Sequence, residues 1–302
     1  MSDIYLNGHK YGPEKEQLLV AAYANRGLAD VDGENINATY LLDPNDKIAN
    51  TKALQKNPGS GAASHNGIFM GRDITDRFES GDVYKCIEDG SFKDLFIGDF
   101  FIKEINEKEY TCRLAGFDMY MNAVNPYPHH AVIVADEHFG ECKMNDTNTT
   151  EGGYKGSKLR TEFIPQVNTW LTTAFTSDHL VTLKDWLTTE VDGTIQSPGY
   201  RGWMTASSAW EETDSIAELM TEIEVYGTRV WSSSGYDVGI GKTQLPLFAL
   251  SPQYINPGRF SWWLRDISNG EYWDMIYYLG YSLLCGLEYF SSRYVRPRWC
   301  IC

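Results

Sequence analysis

Positive charge is what this chain has least of. Lys and Arg number 26 against 41 Asp and Glu, a formal net charge of −15. A partner built on a phosphate backbone calls for a basic face, so nucleic acid is excluded as the expected partner. Uninterrupted apolar runs are also missing: no stretch approaches the eighteen or so residues a membrane-spanning helix needs. Residues 1–10 are polar and lack the apolar core of a secretory signal, so no export leader is expected. The sequons at Asn37, Asn145 and Asn148 then carry little meaning. The six cysteines (86, 112, 142, 285, 300 and 302) include no CxxC pair and no metal-ligand spacing. Cys300 and Cys302, two apart on one strand face, make poor disulfide geometry, and free thiols are expected.

Aromatic residues are abundant instead, with nine Trp and nineteen Tyr. They concentrate at the C-terminus, where residues 260–302 read FSWWLRDISNGEYWDMIYYLGYSLLCGLEYFSSRYVRPRWCIC. Bulky blocks bound this stretch, Trp262-Trp263-Leu264-Arg265 at one end and Val295-Arg296-Pro297 at the other. About thirty residues between them are crowded with Tyr, Ser, Asp, Leu and single glycines, and follow neither a helical nor a strand period throughout. Binding loops use such residues, because Tyr gives large rigid contact area at low entropy cost while Ser and Gly adapt.

The WWLR block, the internal Gly280 and the closing VRP resemble the C-type-lectin-fold variable proteins of bacteriophages and prophages, in which a diversity-generating retroelement rewrites the end of the gene. The likeness extends upstream through GIFMGRDIT (67–75), GSFKDLFIGDFF (90–101), HHAVIVAD (129–136), GGYKGSKLR (152–160) and QLPLFAL (244–250). It covers residues 67–302, and its specificity lies in the order and spacing of motifs that are individually weak.

The resemblance implies an α+β, C-type lectin-like domain of the formylglycine-generating-enzyme-like subtype over 67–302, with a variable region at about 262–297. Residues 1–66 become an attachment or oligomerisation segment. The implied function is receptor binding on a phage or prophage particle, on a tail or head fibre, without enzymatic activity, cofactor or metal. Implied partners are a bacterial surface protein or glycan and, through residues 1–66, phage structural proteins. A homotrimer, made in the bacterial cytoplasm and carried on the virion, is expected. Alternatives are a cell-encoded surface display protein of the same fold and an oxidase of the formylglycine-generating type.

In that family the diversified codons are mostly Asn codons mutated at adenines, which yield Tyr, Ser, Asp, Asn, Leu or Cys but never Trp, Met, Glu, Gln or Lys. The positions that obey this rule are Asp266, Ser268, Asn269, Tyr272, Asp274, Tyr277, Tyr278, Tyr281, Leu283, Cys285, Leu287, Tyr289 and Ser291. These thirteen are the candidate ligand-binding residues, with Tyr272, Tyr278, Tyr281 and Tyr289 expected to be exposed. Trp273, Met275, Glu271 and Glu288 fall outside the rule and are expected to be scaffold. The bulky flanks are expected to be anchors, with Arg265 and Arg296 in internal hydrogen bonds or ion pairs.

Residues 15–26 predict a short helix stopped by Gly27, and 57–61 reads as a linker. Residues 81–90 predict a helix holding Val83, Cys86 and Ile87. Residues 94–102 predict a buried strand broken at Gly98-Asp99, 109–120 an alternating strand with Tyr110, Cys112 and Leu114 inward, and 131–134 a short buried strand. Ser157 is the expected cap of a helix over 158–175, bent or split at Pro165, with an apolar stripe from Leu159 to Phe175. A second helix is expected over 215–226, burying Ile216, Leu219, Met220 and Ile223, and a turn-rich loop over 191–210.

Three chemical motifs are set aside. GYDVGIGKT (235–243) has Tyr236 where a phosphate-binding loop needs glycine. Adjacent His129 and His130 point to opposite faces of a strand and cannot chelate one ion together. Asp146 and Asp266 would give a calcium site only single oxygens.

Overall fold

The structure, a computed structural model, describes residues 4–6, 9–11, 61–121, 127–147, 149–191, 207–230, 232, 243–269, 272–276, 280, 282–285 and 292–302. The chain divides into two compact units, residues 1–59 and 60–302. In the first, β1 (Ile4–Leu6) pairs antiparallel with β2 (His9–Tyr11), Ile4 opposite Tyr11. The helix expected over 15–26 lies outside the described residues.

The second unit opens with short helices, α1 (Ala62–His65), α2 (Thr75–Glu79) and α3 (Asp82–Glu88). Helix α3 buries Val83, Cys86 and Ile87 as its spacing predicts. The strand expected from residue 94 begins only with β3 (Phe100–Ile105). Leu95, Phe96 and Ile97 are buried ahead of it, Ile97 in an isolated bridge to Phe69, and the buried Asp99 carboxylate draws donors around itself. It accepts the N–H groups of Arg72 at 2.9 Å and Phe96 at 3.1 Å, and the Arg72 guanidinium at 2.7 Å. Gly98 turns the chain there at φ 81°, and a Cβ in its place would collide with the Phe69 ring.

Next come β4 (Lys108–Phe117), β5 (Ala131–Ala135) and the two-residue β6 (Glu141–Cys142), then the single turn α4 (Gly153–Gly156). Ser157 Oγ accepts the Arg160 N–H at 3.2 Å, as a cap should. The helix then runs as a wide π-turn over Leu159–Phe163 before α5 (Ile164–Phe175). Pro165 explains the change of pitch: it lacks an N–H, and its ring crowds the carbonyl one turn back. Leu159, Ile164, Val167, Leu171 and Phe175 form the buried stripe.

The helix expected over 215–226 is largely strand, while residues 192–206 of the loop expected over 191–210 lie outside the described residues. β7 (Leu183–Val191) pairs antiparallel with β8 (Ser207–Ser215), Trp210 opposite Thr188; β9 (Ala217–Leu219) follows. Only α6 (Glu222–Tyr226) is helical, closed by Gly227 at φ 75°. The apolar spacing of 216–223 suited a helix, but the interior also takes Ser215, Glu218, Glu222 and Glu224, of which Glu218 pairs with Arg160 and Glu224 with Arg298. Tertiary pairing overrode the local pattern. The chain finishes with α7 (Pro246–Leu250), β10 (Trp262–Asn269), β11 (Tyr272–Ile276), β12 (Ser282–Cys285), β13 (Arg293–Tyr294) and β14 (Pro297–Ile301).

Two five-stranded sheets result, ordered β3-β4-β5-β14-β9 and β12-β11-β10-β13-β6, beside the β7-β8 pair. β5 and β14 are buried at every position, so both faces of the first sheet are covered around its centre. Phe78 of α2 stacks on Phe101 of β3 at 3.7 Å, and Phe175 of α5 meets both edge-on. Small antiparallel sheets with few helices make this a mixed chain, in keeping with the α+β class.

Candidate functional site

The C-terminal ribbon, β10 to β13, is where the candidate binding residues lie, and its two ends are interior structure. Trp262 through Ile267 are all buried, with no alternation. Trp262 and Leu264 join the main core; Trp263, Ile267, Trp273 and Val295 form a second cluster with Tyr154, Leu159 and Leu187. The indole N–H of Trp263 donates to the Cys142 carbonyl at 2.9 Å, and that of Trp273 to the Thr149 carbonyl at 3.2 Å. Trp263 and Trp273 thus have their polar edges satisfied, as a buried Trp prefers. The expected anchors Trp262, Trp263, Leu264, Val295 and Pro297 are all interior.

Beneath the ribbon lies a buried network of charges. Arg265 donates to Asp185 at 3.0 Å, and Arg298 reaches both oxygens of the same carboxylate at 2.9 Å. Burial pushes the Asp185 carboxyl up, but the charges of Arg298 and then Arg265 outweigh it and hold it below its ordinary range. Arg298 Nε also donates to Glu224 at 3.2 Å, and Glu224 accepts the Tyr120 hydroxyl at 2.7 Å. Glu218 pairs with Arg160 at 2.6 Å and accepts Tyr154 O–H at 2.8 Å. Arg296 is satisfied by three carbonyls, Ala135 and Ile255 at 2.8 Å and Tyr254 at 3.0 Å. Burial pushes that guanidinium down to about 10, against the pull of Asp136 and Glu137.

Asp266 belongs to this interior. It is fully buried, and its Oδ2 accepts the Glu222 N–H at 2.6 Å. The Glu222 carboxylate in turn accepts the N–H groups of Val230 and Ser232 at 2.8 and 2.9 Å. Asp266 therefore holds the start of α6, a supporting role beneath any outer face.

Strand register brings several other candidates together. Asn269 lies opposite Tyr272 at the β10-β11 turn, Asp274 opposite Leu284, Leu283 opposite Met275, and Cys285 opposite the buried Trp273. Ser268, Asn269, Tyr272, Asp274, Leu283 and Cys285 are described by backbone only. Tyr277, Tyr278, Tyr281, Leu287, Tyr289 and Ser291 lie outside the described residues, as does most of the 235–243 loop. The one described residue between β11 and β12 is Gly280, at φ 86°, with no described residue within 4 Å of a Cβ placed there. Its carbonyl accepts the Tyr226 hydroxyl at 2.9 Å, which ties the connection to α6. Gly280 serves the backbone conformation, since among the described residues no neighbour limits a side chain there.

The adjacent histidines have structural partners. His129 Nδ1 lies 2.8 Å from Asp118, and the buried His130 is bonded to the Pro128 carbonyl and the Tyr120 N–H. Among the described residues no group of three or more His, Cys, Asp or Glu is arranged to hold a metal ion. Cys300 is buried and Cys302 half-buried, both free, and burial pushes both thiols up. A raised thiol holds little of the thiolate that nucleophilic chemistry needs.

Sequence reasoning named Arg265 and Arg296 but missed Arg298, Asp185, Glu218 and Glu224. The alternation of Arg296, Arg298 and Cys300 against Pro297, Trp299 and Ile301 was the available signal. It reads as one wet face, whereas both faces of β14 are covered. Comparison with protein-family models, with curated proteins and with solved structures finds no match.

Proposed function

We propose that this chain is a recognition protein of a phage or prophage particle, with a C-type lectin-like frame of the formylglycine-generating-enzyme subtype that offers an exchangeable C-terminal surface to bacterial cell surfaces. The observation that carries the reading is the division of labour around the ribbon. Its ends, from Trp262 to Ile267 and from Val295 to Arg298, are buried and fixed by groups outside the ribbon, among them Asp185, Glu224, Ala135 and Cys142. A frame stabilised from elsewhere tolerates exchange of the side chains strung between the anchors, since surface substitutions cost within about 0.5 kcal/mol each.

Binding without turnover fits the raised thiols of Cys300 and Cys302, the pair an oxidase reading would use. Weak contacts at single sites gain strength through multivalent display, which suits a homotrimer in many copies on a virion attached through residues 1–66. The experiment is combinatorial exchange of Tyr272, Tyr278, Tyr281 and Tyr289 among the residues an NNY codon allows. Most members are expected to melt within about 4 °C of the parent while losing or switching attachment to bacterial cells. Unfolding of most members, as a core would give, overturns the reading. A near-copy of the 262–297 coding stretch beside a reverse transcriptase, differing only at adenines, is the expected genomic companion.

A further inference from the structure

Where the ribbon enters and leaves its sheet, the two ends border an open cavity of about 620 Å³. Three rings and three charged groups form most of its wall: His138, Phe260 and Tyr294 with Glu141, Arg259 and Arg293. His138 and Tyr294 lie 3.9 Å apart between ring centres, and Phe260 meets them edge-on at 5.1 and 5.2 Å. Tyr294 sits opposite Glu141 in the β13-β6 register and donates its hydroxyl to that carboxylate.

The rim is shaped by backbone. Arg259 holds a left-handed φ of 52°, uncommon for a residue with a side chain, and its N–H is bonded to the Asn256 carbonyl at 3.3 Å. The Asn256 side chain accepts the Phe260 N–H at 3.1 Å. Gly258 leaves room for the Phe260 ring, which a Cβ there would strike. The Arg259 guanidinium is exposed and has no ion-pair partner among the described residues. His138 Nδ1 is buried in the same wall without a hydrogen-bond partner among the described residues, a state buried polar atoms rarely keep.

In a chain of net charge −15 this is a small cationic island, two guanidinium groups against one carboxylate. The cations favour an anionic ligand, and Arg in particular suits a carboxylate. Glu141 disfavours a bare anion, yet its oxygens accept hydrogen bonds from hydroxyl groups. The three rings add apolar surface that suits the C–H face of a sugar ring. We propose that this cavity is a binding subsite for an acidic monosaccharide unit, its carboxylate on Arg259, its hydroxyls on Glu141, and its ring against His138, Phe260 and Tyr294. None of these residues belongs to the thirteen candidate positions, so the subsite stands or falls apart from the recognition reading above.

The test titrates the full chain with glucuronate, glucose and acetate at one ionic strength, read by saturation-transfer NMR and calorimetry. Glucuronate is expected to bind at least about tenfold more tightly than either glucose or acetate. Arg259→Ala, at an exposed position, is expected to bring glucuronate down to the glucose level. Gly258→Ala is expected to weaken it by displacing the Phe260 ring. Lys103→Ala, in a separate groove beside Trp170, is expected to change nothing. A thermal melt of each variant separates lost binding from lost fold, and Arg259→Ala decides alone if Gly258→Ala does not fold. Equal affinity for acetate, equal affinity for glucose, an unaffected Arg259→Ala, or no glucuronate binding up to about 50 mM each overturns the proposal.

Discussion

Asp185 lies fully buried between two guanidinium groups. Taking ions out of water is expensive, and the attraction between them repays the cost only while every partner is present. Asp185→Asn would leave Arg265 and Arg298 facing each other, and a loss of about 3–5 kcal/mol in urea unfolding is expected. A loss under about 1 kcal/mol would mean that water reaches the network. His130 supplies a different pH window. The Pro128 carbonyl can only accept, so Nδ1 carries the proton and Nε2 accepts the Tyr120 N–H. Burial pushes its pKa below the ordinary 6.5, with His129 and Arg298 adding to that and Pro128 and Asp118 opposing. As pH falls below 6.5 the unfolded chain binds the proton first, so stability is lost from there down to the folded pKa. Asp185, lowered from 3.8, adds stability that is fully present above that value and lost only below it. The urea midpoint is therefore expected to drop between pH 7 and 5, and His130→Gln, whatever its effect on absolute stability, is expected to flatten that drop. An unchanged slope would assign the dependence to another group.

Helix α6 is short, and its capping decides whether it forms. Thr221 Oγ1 accepts the Glu224 N–H at 3.0 Å while the Glu224 carboxylate accepts the Thr221 N–H at 2.8 Å. Thr221→Ala is expected to cost about 1 kcal/mol. Glu224→Gln should cost more, because the same carboxylate also serves Tyr120 and Arg298. Equal losses from the two, measured by urea denaturation, would show that the cap alone matters. These contacts also explain what was legible beforehand. Strands such as 131–135 and the stripe from Leu159 to Phe175 obey the simple rule of apolar residues inward, and the sequence displays it. The stretch 215–226 obeys another rule, in which Glu218, Glu222 and Glu224 turn inward because Arg160, Arg298 and exposed backbone N–H groups await them. Arg160 and Arg298 lie far away in the chain and the N–H groups of Val230 and Ser232 lie beyond the helix, so no local period announces them. The same holds for Asp266, which fits the codon rule for an exchangeable position yet is spent on the Glu222 N–H. The ends of the ribbon were legible because WWL and VRP are bulky. The cavity at their base was not, since His138, Glu141, Arg259 and Tyr294 meet only once β6 and β13 pair.

On the scale of the molecule, the question is how much of the chain the fold requires. Among the described residues, both apolar clusters draw their members from between Ala62 and Cys302, and the ion pairs of the buried network do the same. The strand that completes the first sheet, β14, is the last in the chain and joins β5 to β9 through its register with both. Stability in the second unit thus depends on the C-terminus, and residues 60–302 form a compact unit of their own. A chain beginning at residue 60 is expected to melt cooperatively within about 4 °C of the full protein. A chain ending at residue 296 is expected to lose cooperative melting, because it lacks Arg298, Trp299 and the central strand while keeping every residue of the ribbon's middle. If the shorter C-terminal truncation melted normally, β14 would be an accessory, and a ribbon held by its two buried ends would no longer describe this protein.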